Sequence, residues 1–244
     1  MAIDELLLNH AVEHNVVALR FYQWNKPTLS VGYFQQYADR QLHEASSACA
    51  VVRRQTGGGA ILHDHELTYS LVVPPAHQLA RNNRQLYFAV HQVIIDTLLA
   101  EKGSLQRLQS LALWQHDSQL SRAEEPFLCF QRRSRGDVVF GRSNGTQEKV
   151  IGSAQRRRRG AILQHGSILL ARSTAAPELP GLTELAQIQM DAPTLADRLR
   201  NVLPTALTIL NDDAAICESA QLFENAAKAL VASKYGAAAW LKRR

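Results

Sequence analysis

The chain has 244 residues, a length that fits one large domain or one domain with a small appendage. Hydrophobic residues make up 46% and charged residues 20%, an ordinary globular balance, and no apolar run approaches the ~18 residues of a membrane span. The formal charge of +5 suits an acidic partner, either nucleic acid or protein, and does not choose between them. Residues 3–14 carry Ile3, Leu6, Leu7 and Ala11 at helical spacing, with Asp4 and Glu5 in the first turn, where the helix dipole favours acids. Segments 16–24 and 28–34 read as strands split by Lys26-Pro27, and 49–55 as another strand stopped by Gly57-Gly58-Gly59. Ile61-Leu62 and residues 67–73 read as strands around the polar turn His63-Asp64-His65-Glu66. The period then becomes helical over 85–102, with Leu86, Ala89, Val90, Val93, Ile94 and Leu98 on one face and Gly103 as C-cap. Strand-like pieces follow at 126–130, 137–140, 149–155 and 161–170, with a hairpin signal at Ser143-Asn144-Gly145. Helical pattern returns over 193–203 and 219–233. This order predicts an α+β fold with a central mixed or antiparallel sheet flanked by helices, residues 1–172 forming the core and 173–244 a helical flank of the same domain.

The first residues are acidic early and lack the basic stretch, apolar stretch and cleavage site of a signal peptide, so a soluble cytoplasmic protein is expected. Cys49, Cys129 and Cys217 are too widely spaced for a disulfide framework or a zinc site, and each reads first as a small buried thiol.

Two segments invite chemistry. RRQTGGGAILHD (53–64) contains three consecutive glycines, costly in backbone entropy unless the chain turns sharply or lets a ligand approach. N–H groups in such a loop can hold an anion or a polar carbonyl, and Arg53 and Arg54 add positive charge beside it. The plain alternative is a flexible turn, since the run is neither a Walker loop nor a dinucleotide fingerprint. In KVIGSAQRRRRGAILQHGSILL (149–170), Lys149 heads an apolar strand, and Gly152-Ser153-Ala154 leave room for a bound chain. A lysine aimed into such a pocket pairs with a phosphate, carboxylate or thiolate, whereas at a strand edge it is a solvated charge.

RRQTGGGAILHDHELTYSLVVP together with KVIGSAQ and ILQHGSILL closely resembles the biotin/lipoate protein ligase and octanoyltransferase superfamily, and MAIDELLL and RFYQWNKPTLSVGYFQ fit it too. The resemblance covers residues 1 to about 172. It implies a sheet with a tunnel-like acyl pocket, and by position assigns acyl or acyl-adenylate binding to Arg54, Gly57, Gly58, Gly59, His63, Gly152, Ser153, Ala154 and His165. Ligases of this superfamily activate a free acid with ATP and magnesium. Octanoyltransferases instead take the acyl group from a carrier-protein thioester onto an enzyme thiol and pass it to lysine. One transferase class carries that thiol in a Cys-Phe dipeptide ahead of the lysine strand, which here is Cys129-Phe130 ahead of Lys149. The stretch between them is longer than that class has, with RSNGTQE in the hairpin.

The resemblance therefore implies an octanoyltransferase with Cys129 as nucleophile and Lys149 beside it, needing no cofactor. Its donor would be octanoyl acyl carrier protein, and its acceptor a lipoyl-domain protein, the glycine-cleavage H protein or a dehydrogenase E2 subunit. A cation beside the sulfur favours the reactive thiolate, and N–H groups of the glycine loop or of Cys129 are candidates for the oxyanion. An ATP-dependent lipoate ligase, or a carrier- or nucleic-acid-binding module on the same fold, are the rival readings. His63, His65 and His165 have no metal-ligand spacing. Arg156 to Arg159 with Arg132, Arg133 and Arg135 read either as a solvated turn or as a docking surface for an acidic carrier or lipoyl domain. Aromatics do not interleave with these arginines in sequence, as single-strand binding favours.

Overall fold

A computed structural model describes residues 1–100, 105–117, 121, 124–208 and 223–243. In chain order the regular elements are α1 (Ala2–His14), β1 (Ala18–Tyr22), β2 (Thr28–Val31), β3 (Ala50–Arg53), β4 (Ile61–His63), β5 (Glu66–Val73), α2 (Asn83–Leu99), α3 (Leu105–Leu108), β6 (Leu111–Leu113), β7 (Val138–Gly141), β8 (Gln147–Arg158), β9 (Ala161–Leu169), α4 (Leu182–Ala186), α5 (Ala192–Ala206), α6 (Glu224–Leu230) and α7 (Ala238–Leu241). Six strands form an antiparallel sheet in the order β1-β5-β9-β8-β7-β6. A second sheet, β3-β2-β4, pairs β2 parallel to β3 and antiparallel to β4. The α+β fold class and its large antiparallel sheet are as expected.

The large sheet has two unlike faces, and the sequence of β5 displays both. Leu67, Tyr69, Leu71 and Val73 join α2 and α5 in the main core, where Leu86, Val90, Ile94, Leu98, Leu195 and Leu199 are buried. Burial of such a side chain is worth about 1.5–3 kcal/mol. The alternate residues Glu66, Thr68 and Ser70 are buried on the opposite face, which carries α1 and most of the polar machinery. Ser70 donates to Asp4 of α1 at 2.8 Å, and Leu7, Leu8 and Ala11 pack on Val72, Ala161 and Leu163.

Three expectations need correction. The helix expected over 85–102 starts two residues earlier, where the Asn82 side chain accepts from the N–H groups of Arg84 and Gln85, and ends at Leu99 with Ala100 as C-cap. Gly103 is not its cap and lies outside the described residues. Residues 126–130 do not form a strand. Only Leu128 makes a bridge, to Ala60, and Cys129–Gln131 curl into a 3-10 turn through Gln131 N–H to Leu128 O and Arg132 N–H to Cys129 O. The arginine run is not a turn over its length either. β8 continues through Arg158, and the turn to β9 is Arg159-Gly160, with φ of 44° and 89°. Residues 219–222 of the expected last helix, and Cys217, lie outside the described residues; after α6, Val231–Tyr235 widen into a π turn.

Candidate active site

The glycine loop links β3 to β4 and is shaped by a buried arginine. Arg54 Nη1 donates to Ser30 O (2.8 Å) and Ser30 Oγ (3.2 Å), while Nη2 donates to Gly57 O (2.8 Å) and Gly59 O (2.5 Å). Burial pulls its pKa down to about 10, yet it remains a cation at neutral pH. With those two carbonyls turned to the guanidinium, the N–H groups of Gly57, Gly58 and Gly59 donate to no group among the described residues. Gly58 has φ +90°, a conformation that favours glycine. A Cβ there would lie 4.0 Å from Cys129 Sγ, and one at Gly59 would meet the Arg132 guanidinium at 2.8 Å.

Cys129 is fastened to this loop. Ala60 N–H donates to Phe127 O (3.0 Å) and Cys129 N–H to Ala60 O (2.7 Å). That bond commits the Cys129 N–H and removes it as an oxyanion donor, leaving the loop N–H groups. The thiol is partly exposed.

Lys149 approaches from the large sheet because of a β-bulge. Val138 pairs with Ile151 but Val139 pairs with Lys149, so Val150 is an extra residue on β8. Strict alternation would put Lys149 on the face of Ile151; the extra residue puts it on the face of Gly152 and Ala154. Its Nζ lies 3.9 Å from Cys129 Sγ, 3.4 Å from Cys129 O and 2.8 Å from Asp137 Oδ2. The room left by Gly152 is filled by this side chain, since a Cβ there would sit 2.3 Å from Lys149 Cε. Burial works against the ammonium, but the Cys129 thiolate and the Asp137 carboxylate outweigh it and raise the Lys149 pKa above its ordinary value.

A buried polar network behind Lys149 escaped the sequence reading. Tyr87 donates to Asp137 Oδ1 at 2.6 Å and accepts from Ser153 N–H at 3.0 Å. Ser153 Oγ lies 2.7 Å from His91 Nε2 and 2.5 Å from Tyr69 OH, and His91 Nδ1 donates to Gly136 O at 2.6 Å. Ser153 thus faces α2, away from Gly152 and Ala154. Tyr87 and His91 lie four residues apart on one face of α2, and the only hint at Asp137 was an acid heading an apolar strand.

The remaining expected residues sit around this centre in separate roles. His165 of β9 bonds Thr56 Oγ1 through Nε2 (2.7 Å) and Asp4 through Nδ1 (3.1 Å), tying the glycine loop to the large sheet and α1. Burial keeps its pKa below the ordinary histidine value. His63 bonds Glu66 (2.6 Å) and Ser30 Oγ (2.9 Å) and stacks on Trp24, so it reaches the loop through Ser30 and Arg54. Four of the arginines expected at a basic surface are tied to local partners. Arg132 pairs with Glu125, Arg133 bonds Gln147 O, Arg157 bonds Ala80 O and Arg158 pairs with Glu5. Among the described residues no three His, Cys, Asp or Glu side chains group as a metal site, and no helix is long and apolar enough to cross a membrane.

Residues 1–178 match the family described as the lipoyl protein ligase A/B catalytic domain. Octanoyltransferase LipM of Oceanobacillus iheyensis is 38% identical over 185 residues, covering 70% of this chain and 59% of the relative. Octanoyltransferase LipM of Kyrpidia tusciae is 35% identical over 245 residues, covering 93% of this chain and 78% of the relative. The chain thus spans less than two thirds of the length of the first of these. Among solved structures, the putative lipoate protein ligase Ta0514 of T. acidophilum superimposes with a TM-score of 0.68 at 20% identity, covering all of this chain and 92% of that one. Lipoate-protein ligase A bound with ATP superimposes with a TM-score of 0.60 at 20% identity, covering 99% and 92%. These structures share the fold.

Proposed function

Because the chain belongs to the lipoyl protein ligase A/B catalytic domain family, we propose that it is an octanoyltransferase of lipoate biosynthesis working through a thioester on Cys129. The observation that carries this reading is the thiol of Cys129 set 3.9 Å from the Lys149 ammonium beside a glycine loop with unused N–H groups. Its likeness to two octanoyltransferases supports the same chemistry.

The cycle balances with these groups alone. The Cys129 thiolate attacks the carbonyl of an octanoyl thioester on an acyl carrier protein, while the acyl chain lies against Ala154 and the glycine loop. The oxyanion is held by the N–H groups of Gly57 to Gly59. The intermediate collapses, the carbon–sulfur bond to the carrier breaks, and the departing thiolate takes a proton from Lys149. Acylation has by then removed the negative charge of Cys129, one of the two groups that raise the Lys149 pKa, so the proton leaves more readily. A lysine of a lipoyl-domain acceptor, entering as the neutral amine, attacks the Cys129 thioester. The amide bond forms, Cys129 departs as thiolate, and the surplus proton on nitrogen returns to Lys149. A thioester exchanged for a thioester is nearly isoenergetic, and the final amide draws on thioester energy, so no ATP enters.

The test is incubation with octanoyl carrier protein in the absence of ATP, followed by intact mass measurement, with Cys129→Ala alongside. One octanoyl group on the wild type and none on the variant is expected. An unmodified wild type sinks the thiol route, and an adduct that survives in Cys129→Ala moves it to another residue. Product formed only from free lipoate with ATP and magnesium would select the ligase chemistry.

A further inference from the structure

Three stretches distant in sequence bring cations around two tyrosines beside the glycine loop. The Arg243 guanidinium lies over the Tyr33 ring, 4.0 Å from its centroid, and Arg156 of β8 reaches the same ring at 5.6 Å. Lys242 and Arg40 lie 5.8 and 5.6 Å from the Tyr37 ring. None of these four cations pairs with a carboxylate among the described residues. Asp39, in the same loop, accepts from Gln36 N–H, while nearby Glu5 is taken by Lys234 and Arg158. Arg156, Lys242 and Arg243 are exposed, and a ring face satisfies none of their N–H donors.

This patch is continuous with the active site. Tyr33 N–H donates to Thr56 O at 2.8 Å, and Arg156 Nη1 donates to Gln55 O at 3.4 Å. Phe34, 50% exposed, lies close enough to Gly57 that a Cβ there would touch its ring at 3.5 Å. The next glycine faces Cys129. Unpaired cations ringed by aromatics, at the rim of a thiol site, fit an anionic protein that presents a group to the thiol.

We propose that this patch, built from Tyr33, Tyr37, Arg156, Lys242 and Arg243, docks the acyl donor, an acidic carrier protein bearing its thioester on a phosphodiester-linked arm. The inference rests on the octanoyltransferase reading. The phosphodiester arm selects the donor over the acceptor, because an acidic lipoyl domain offers carboxylates to the patch but no phosphate. The donor brings carboxylates and a phosphodiester, both attracted to the patch, whereas the acceptor must bring a lysine past the same cations. A nucleic acid would meet the same charges and rings, but it has no reason to adjoin Cys129.

The test uses the full chain and the double variant Lys242→Glu, Arg243→Glu, both positions exposed and outside the acyl-transfer machinery. Two readouts are taken. The first is binding of fluorescently labelled carrier protein. The second is single-turnover acylation of Cys129 from octanoyl carrier protein and from octanoyl-pantetheine, which has neither protein nor phosphate. Carrier binding and carrier-dependent acylation are expected to fall about tenfold at low salt, with the gap closing as salt is raised. Acylation from octanoyl-pantetheine should be unchanged. The proposal is overturned if the wild type fails to bind carrier, if both proteins bind it equally, or if both thioesters lose rate together. Loss of oligonucleotide binding without loss of carrier binding overturns it as well. If carrier binds in a patch-dependent way but Cys129 is never acylated from either thioester, docking stands and the octanoyltransferase reading fails.

Discussion

Gly152 carries no side chain in a place that Lys149 already occupies. A Cβ there would meet Lys149 Cε at 2.3 Å and Nζ at 2.8 Å, and the flexible lysine end would give way before the backbone does. Gly152→Ala should therefore leave the fold intact and move the ammonium off Cys129. Misplacement on this scale costs about a hundredfold in rate, so single-turnover acylation should fall that far while the thermal midpoint stays close to wild type. Unchanged acylation would mean that the Lys149 position does not matter. Asp137 should behave in the opposite way. Removing its charge with Asp137→Asn strands a buried ammonium, a loss of about 3–5 kcal/mol for a broken buried pair, visible as a lower urea midpoint. A midpoint equal to wild type would show that Lys149 sheds its proton or finds another partner at no cost.

On α2 the chain carries a histidine that must stay neutral. Burial pushes the His91 pKa down to about 4, against 6.5 for the free side chain. A depressed histidine contributes stability that is complete above its unfolded value and is lost as pH falls toward its folded value. The window is thus pH 6.5 to about 4, and the size is on the order of 3 kcal/mol. His165 is depressed in the same direction and adds to the slope. Urea unfolding between pH 7 and 4 should show the decline, and His91→Gln should reduce it by about one proton; an identical slope would place the loss elsewhere. The apolar face of α2 was legible in its helical spacing, but Tyr87 and His91 on the same helix were not, because a pattern of apolar positions treats the residues between as filler. The direction of Lys149 was hidden for a related reason. Period two puts it with Ile151, and only pairing with β7 reveals the extra residue. Residues 126–130 looked like a strand because five apolar-rich residues suit a strand and a buried turn equally, and the hydrogen bonds that curl them involve Ala60, far off in sequence. The resemblance singles out the glycine loop, Cys129 and Lys149 as candidates, and the structure adds the geometry that brings them together.

Residues beyond 178 fall outside the matched catalytic domain, yet described residues among them pack on the core. Leu195, Leu199 and Leu203 of α5 lie in one core with α2 and β5. At the far end, Trp240 Nε1 donates to Arg53 O at 3.0 Å and Arg53 Nε donates to Leu241 O at 2.9 Å. Arg53 Nη1 in turn donates to Gly32 O and Gln35 O, both at 2.8 Å. The C-terminal segment is thereby fastened to the loop that carries Tyr33 and Phe34. We therefore propose that residues 173–244 are a flank of the core and unfold with it. Leu199 is fully buried, and truncating such a leucine to alanine costs about 2–5 kcal/mol. If flank and core are one cooperative unit, Leu199→Ala should lower a single unfolding transition, seen at the same urea concentration by far-ultraviolet circular dichroism and by tryptophan fluorescence, which reports Trp24 near β5 as well as Trp240. Hydrogen exchange at β5 and β9 should rise by the same free energy, because the amides there open only when the whole unit does. Two separated transitions, with β5 protection untouched by the substitution, would mark the C-terminal segment as a unit that folds on its own.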